Sequence, residues 1–544
     1  MKLTSLYVIT GLLLILSSCS KPEEIDLIIH NANIYTVDDQ FGQAEAFAVN
    51  DGKFVALGNS EDILEKYSAL EVLDLHGAQV YPGFIDAHAH FYGYGTGLQV
   101  ADLTGASSPD EMIERVLSHR KKHPEQAWLL GRGWDQNLWD NKTFPNREKL
   151  DELFPDIPVL LTRIDGHAAL ANGHALGLGH IRPSLSVPGG KILLERNVPT
   201  GILIDNAIGL VSEKIPELSL EEKKKALLAA QDSCFRVGLT TVADAGLNRE
   251  SIELMERMQK EGSLKMRIYA MVSPNPEDRK YYFEKGPYQN DRMTVKSFKV
   301  FGDGALGSRG AALLEPYHDS PKEQGFLLSS VEDFESLAQE MYDHGFQMNT
   351  HCIGDSANRV ILETYAKILK GENDRRWRIE HAQIVNSEDI PKFGTLNIIP
   401  SVQPTHATSD MYWAGDRLGP ERLKDAYIFK QLLEQNGHIA LGSDFPVESI
   451  NPLYGFHAAV ARQDAQGWPE GGFQPENRLT RQEALKGMTI WAAYANFEEN
   501  EKGSIEAGKL ADFVILEKDI MTVPAEELRD IMVKSTYIGG EKVY

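Results

Sequence analysis

From residue 79 to residue 446 an apolar, strand-like run recurs eight times, and helical stretches lie between the runs. The runs are QVYPGFIDAHAH (79–90), LTTVADAG (239–246), KMRIYAMVS (265–273), VKSFKVFGDG (295–304), FQMNTHC (346–352), RWRIEHAQ (376–383), LNIIPSVQP (396–404) and HIALGSDFP (438–446). Helical stretches include 221–238, 251–262, 331–345, 356–371, 421–437 and 480–496, and several end in glycine, a helix-stop signal. A strand followed by a helix and then another strand implies parallel strands joined by right-handed crossovers. Eight such units favour a closed (β/α)8 barrel over a doubly wound sheet. The fold class is therefore α/β.

The two ends of the chain have a different texture. Residues 19–80 and 501–544 read as short β segments with turns, such as Asn50-Asp51-Gly52 and Gly539-Gly540. Neither end is long enough for a robust core alone, so the two are expected to join into one small β-sandwich flanking a barrel domain over 81–500. Residues 95–215 interrupt the barrel after its first strand and are rich in Gly, Pro, Trp and Asn. A connection of that length carries its own structure. It reads as an inserted subdomain over the barrel mouth.

In a parallel barrel the reactive side chains sit at the C-terminal ends of the strands. The first run ends in His88 and His90, which share a face because strand side chains alternate. The fourth carries Lys299 and Asp303, the fifth ends in His351, the sixth in His381 and the eighth in Asp444. Five strands thus bring four imidazoles, an amine and carboxylates to one mouth, a donor set suited to divalent metal. Lys299 has the inward parity of Phe301 and Asp303, whereas Lys296 has the opposite one. A purely structural ion pair of Lys299 with Asp303 or Asp444 is the alternative reading.

The motifs PGFIDAHAH, FKVFGDGALGSRGA, HCIGDSA, IEHAQ and GSDFP resemble the amidohydrolase superfamily, in its YtcJ-like, amidohydrolase-3 branch. The resemblance extends from about residue 25 to 544. It implies two divalent ions, usually zinc: one held by His88, His90 and Asp444, the other by His351 and His381, with carboxylated Lys299 between them. It implies hydrolysis of a small, non-peptide amide C–N bond, with Asp444 as proton shuttle. Arg309, in GSRGA, is a candidate anchor for a substrate carboxylate or oxyanion, and His167, Trp134 and Asp135 are candidate pocket residues. Cys352 stands where the family more often has alanine. Ester or lactone hydrolysis on the same scaffold, or ligand binding without turnover, are the competing functions.

The N-terminus has a basic Lys2, an apolar run from Leu6 to Leu16 and the ending LSSC. It reads as a signal peptide over 1–18. LSSC resembles a bacterial lipobox and implies cleavage before Cys19, lipidation of its thiol and a membrane-anchored protein of the cell envelope. Cys234 and Cys352 are then the cysteines left, and no disulfide framework is expected. With 79 acidic against 55 basic residues, the net charge of −24 argues against a nucleic-acid partner. The expected partners are a small amide substrate and the membrane, and the sequence leaves room for a homo-oligomer.

Overall fold

The computed structural model describes residues 22–370 and 373–544. Each of the eight runs contributes a barrel strand: β1 (Phe84–Ala89), β2 (Leu239–Leu247), β3 (Arg267–Val272), β4 (Met293–Phe301), β5 (Gln347–Cys352), β6 (Arg378–His381), β7 (Ile399–Val402) and β8 (Ala440–Leu441). They lie in chain order, each parallel to the next. Both faces of these strands are covered, so they read as continuous apolar runs rather than as an alternation; all six residues of β1 are buried.

The barrel closes just beyond β8. There the Asp444 N–H donates to the His88 carbonyl at 2.8 Å, and the His90 N–H donates to the Phe445 carbonyl at 2.9 Å. The Asp86 carboxylate ties the same seam, accepting from the Ser443 hydroxyl at 2.6 Å and the His88 N–H at 3.1 Å. A Cβ on Gly442 would stand 2.5 Å from the His88 nitrogen, so the seam needs glycine there.

Helices pack outside the strands. The helix Leu220–Arg236 starts in a reciprocal cap between Ser219 and Glu222 and buries Leu227, Ala230, Cys234 and Phe235 against the barrel. Full burial of such apolar side chains contributes about 1.5–3 kcal/mol each.

The run expected as one strand over 79–90 is two strands. Gln79–Pro82 pairs antiparallel with Phe513–Leu516 in a second sheet, and only Phe84–Ala89 enters the barrel. Gly83 is the joint, because a Cβ there would lie 2.3 Å from Thr240 Oγ1. Strands from both chain ends share that second sheet, and a four-stranded sheet of N-terminal segments packs on it through Leu27, Phe47, Phe54, Phe513 and Tyr537. Residues 101–205 form a separate six-stranded sheet, with apolar clusters around Trp134 and Leu203.

Cys234 and Cys352 are buried and unbonded to each other. Cys19 and the signal-peptide reading lie outside the described residues. Among the described residues no helix is long and apolar enough to cross a membrane.

Candidate metal centre

Strand ends bring His88, His90, Lys299, His351, His381 and Asp444 to one cavity region. Five of these line a cavity of about 470 Å³, and His88 lies buried just beneath it. Three imidazoles are pinned at Nδ1: His88 by Glu380 Oε2 at 2.5 Å, His90 by the Ala245 carbonyl at 3.1 Å and His381 by Gln403 Oε1 at 2.7 Å. Pinning one ring nitrogen orients the other as a ligand. His90 Nε2 then faces Asp444 Oδ1 at 3.1 Å, and that oxygen has no hydrogen-bond partner. In the neutral imidazole these are two lone pairs pointing at one another, an arrangement that a cation between them relieves. His351 Nε2 is likewise buried without a partner.

The protonation states suit ligation. Burial, with Lys299 alongside, pushes His88 down to about 4, and burial holds His351 and His381 well below the ordinary histidine range. Burial opposes the charge on Asp444, but His90 and the other imidazoles hold its carboxyl well below the usual range. Burial opposes Glu380 too, yet Arg378 and His88 bring it to about 2, so it stays an acceptor for His88. Lys299 Nζ lies 2.9 Å from His88 Nε2 and makes no ion pair with Asp303 or Asp444. Burial pushes it down to about 8, against the carboxylates of Glu380 and Asp444. Asp303 instead accepts from the backbone N–H groups of Ile353, Gly354 and Ala312 at 2.8–2.9 Å and shapes the turn after β5. His381 and Asp444 both hold positive φ, 73° and 61°, backbone strain of the kind that clusters at functional sites.

A model of the amidohydrolase family (Amidohydro_3) matches residues 71–544. The chain belongs to this family. Full-length relatives agree. It is 33% identical to "Protein LONG AFTER FAR-RED 3" of Arabidopsis thaliana, across 97% of this chain and 94% of that one. It is 32% identical to "Putative amidohydrolase YtcJ" of Bacillus subtilis, across 95% and 99%, and 29% identical to an N-substituted formamide deformylase of Arthrobacter pascens, across 95% and 97%. A solved structure described as an uncharacterized metal-dependent hydrolase from Pyrococcus horikoshii superposes with a TM-score of 0.76 at 28% identity, covering 92% of this chain and 99% of that one. This amidohydrolase is a metal-dependent hydrolase.

The expected pocket residues divide. His167 and Asp135 line the cavity. His167 Nδ1 pairs with Asp205 Oδ1 at 2.6 Å, and its ring centre is 5.0 Å from that of His351. Burial opposes a charge on His167, but Asp205 outweighs it and raises its pKa. Asp135 accepts from Arg163 Nη2 at 2.5 Å. Trp134 does not line the cavity. A bulge at Gly133, with φ of 116°, turns Trp134 into the core of the 101–205 sheet, where its indole N–H donates to the Leu161 carbonyl at 2.7 Å. Arg309 also lies off the cavity, with Nη2 2.9 Å from Asp319 Oδ2.

Three contributors to the amidohydrolase site, His406, Glu380 and Arg378, went unread in the sequence. His406, on the helix Pro404–Asp410 that follows β7, has a buried, partnerless Nε2 3.8 Å from Asp444 Oδ2. Its group with His381 and Asp444 could hold an ion, as could that of His88, His90 and Asp444. Glu380, next to His381 in RIEHAQ, orients His88 and is itself ion-paired with Arg378 at 2.6 Å. Asking what β7 brings to the mouth would have found His406 in SVQPTHA.

Proposed function

We propose that this amidohydrolase cleaves a small, non-peptide amide C–N bond at a two-ion centre. The observation that carries the reading is the pair of Nδ1-pinned imidazoles, His88 and His90, whose Nε2 atoms face the partnerless Asp444 Oδ1. His88, His90 and Asp444 would hold one ion, and His351 and His381 the other, zinc being the expected metal. Lys299 would bridge them as a carbamate: near pH 8 a sizeable share of its amine is neutral, and a neutral amine adds carbon dioxide while releasing one proton. The bound ions supply a water of lowered pKa and a polarised carbonyl oxygen. Asp444 Oδ2, the oxygen turned from His90, is placed to take a proton from the attacking water and return it to the leaving nitrogen. His167 and Asp135 border the volume left for substrate.

The name of the Arthrobacter relative, an N-substituted formamide deformylase, supports beginning with formamides. Metal analysis and turnover of N-formyl and N-acyl compounds, made on one preparation, test the reading. Two bound ions with release of acid and amine are expected; tight metal with no turnover across the series would reduce the protein to a binder.

We further read the chain as a lipoprotein of the bacterial envelope, cleaved after residue 18 and anchored through Cys19. The β-rich ends would be one flanking domain and residues 95–215 a lid-forming insertion. Membrane fractionation of wild type beside Cys19→Ala tests the anchor; identical partitioning of the two would remove it.

A further inference from the structure

Arg132 sits near the end of the strand Leu129–Trp134 in the 101–205 sheet, and it lines the same cavity as the candidate metal ligands. The bulge at Gly133 that sends Trp134 into the core separates the two side chains, as bulges beside active sites commonly do. The Arg132 guanidinium makes one hydrogen bond, from Nη2 to the Ile164 carbonyl at 3.0 Å. Its Nε is buried and has no partner. No carboxylate of the described residues pairs with it. The nearest candidate, Asp165, is already engaged: Oδ2 accepts from Arg163 Nη1 at 2.5 Å and Oδ1 from the His167 N–H at 3.1 Å. Asp135 is likewise taken by Arg163.

A half-buried guanidinium with an enclosed, unpartnered Nε and no counter-ion is costly, and such groups are normally paired. Arg163, one strand away and facing two carboxylates, illustrates the ordinary arrangement. Arg132 breaks it on the wall of the substrate cavity. Gly166 lies against the guanidinium: a Cβ there would stand 3.6 Å from both Nη1 and Nη2, in ordinary van der Waals contact. A planar guanidinium presented in this way matches a carboxylate, which accepts two parallel N–H bonds.

We propose that Arg132 is a specificity-determining residue that binds a carboxylate of the substrate, so that the amide cleaved belongs to an N-acylated or N-formylated amino acid or a related acid. This rests on the amide-hydrolase reading and narrows it. Arg309, the arginine expected for this task from the sequence, is occupied by Asp319.

The test uses matched pairs: N-formyl and N-acetyl amino acids and their carboxamides, with small and large apolar side chains. Binding to the metal-loaded protein is measured by calorimetry, and turnover is followed separately by amine release. In the wild type the acid of at least one pair is expected to bind about tenfold or more tighter than its carboxamide, as for a charge-assisted bidentate pair. In Arg132→Met that ratio is expected to fall to about twofold or less, with Arg132→Lys in between and metal content unchanged in both. Equal binding of acid and carboxamide in every pair, or no binding of either, overturns the proposal. A preference that persists in Arg132→Met also overturns it, because the ions would then be the carboxylate's partner. If the Arg132-dependent preference is found without turnover of any pair, the carboxylate site stands and amide hydrolysis fails. Turnover indifferent to the carboxylate leaves hydrolysis standing and removes Arg132.

Discussion

In the proposed reaction Asp444 does two things with one carboxylate, and its two oxygens are placed differently enough to separate them. Oδ1 faces His90, while Oδ2 lies toward His406. Asp444→Asn keeps a ligating oxygen but cannot carry a proton. It should retain much of its metal yet lose turnover by about 10²–10⁴-fold, the usual worth of a general acid–base. Metal analysis and steady-state kinetics on one sample check this; near-normal turnover would move the proton to another group. Lys299→Ala should lose metal as well as activity, with partial return of both when a short carboxylic acid fills the bridging position. Full metal occupancy in that variant would demote Lys299 to a structural neighbour of His88. Most of the candidate ligands that the structure gathers were legible in the sequence because each closes an apolar run, and parity alone separates Lys299 from Lys296, whose Nζ turns away to Gln289. His406 was not, because it lies beyond the last residue of β7 on a helix that no strand count reaches. Trp134 was misplaced for a related reason: counting alternate residues fails at a bulge that only backbone geometry reveals.

At the scale of elements, the short helix Phe91–Gly97 has no side-chain cap of its own, although it follows directly on His90. Asp244, from β2, supplies the cap by accepting from the Phe91 and Tyr92 N–H groups at 3.0 and 3.1 Å. Burial nevertheless pushes its carboxyl up to about 7 against those two bonds. An unfolded aspartate titrates near 3.9. The folded chain therefore binds the proton more tightly, and the stability this adds is complete below about pH 4 and lost as pH rises to about 7. At ~1.4 kcal/mol per unit the upper limit is about 4 kcal/mol. Urea unfolding of wild type and Asp244→Asn should show the wild type's relative stability falling between pH 5 and pH 8. A constant difference across that range would mean that Asp244 titrates normally. The long barrel helices were legible as stretches that stop at glycine, as at Gly238 and Gly345, while the caps at Ser219 and Ser330 emerge from the structure. Two were drawn too long. The stretch over 421–437 breaks where Tyr427 takes φ of 56° and its hydroxyl reaches Asp410, and that over 480–496 breaks at Thr489, whose hydroxyl bonds back to the Leu485 carbonyl four residues earlier.

For the molecule as a whole, an enclosed ion pair helps join the β-rich C-terminal end to the barrel, beside apolar contacts such as those of Val514 and Leu516. Arg267 of β3 reaches Asp512 at 2.6 and 2.9 Å, and each side chain is 4% exposed. The same aspartate accepts from the Gly539 N–H at 2.8 Å. Asp512→Ala strands a guanidinium away from water and should cost about 3–5 kcal/mol in urea unfolding. A loss under about 1 kcal/mol would mean that water reaches the pair, as for an exposed one. The eight-strand rhythm gave this architecture away; the joint at Gly83 escaped it because strand continues on both sides of the glycine. The seam of the barrel has one more consequence. Apart from the Asp86 clamp, two backbone hydrogen bonds stitch β1 to the segment after β8, and they involve His88, His90 and Asp444. These are also the residues whose side chains converge on one point. An ion gripped by all three is thus a buckle on a belt: it fastens the first turn of the barrel wall to the last, across more than three hundred residues of intervening chain. Emptying it would leave the seam to those two hydrogen bonds and the Asp86 clamp, so the metal proposed for chemistry would also bear on how readily the barrel gapes.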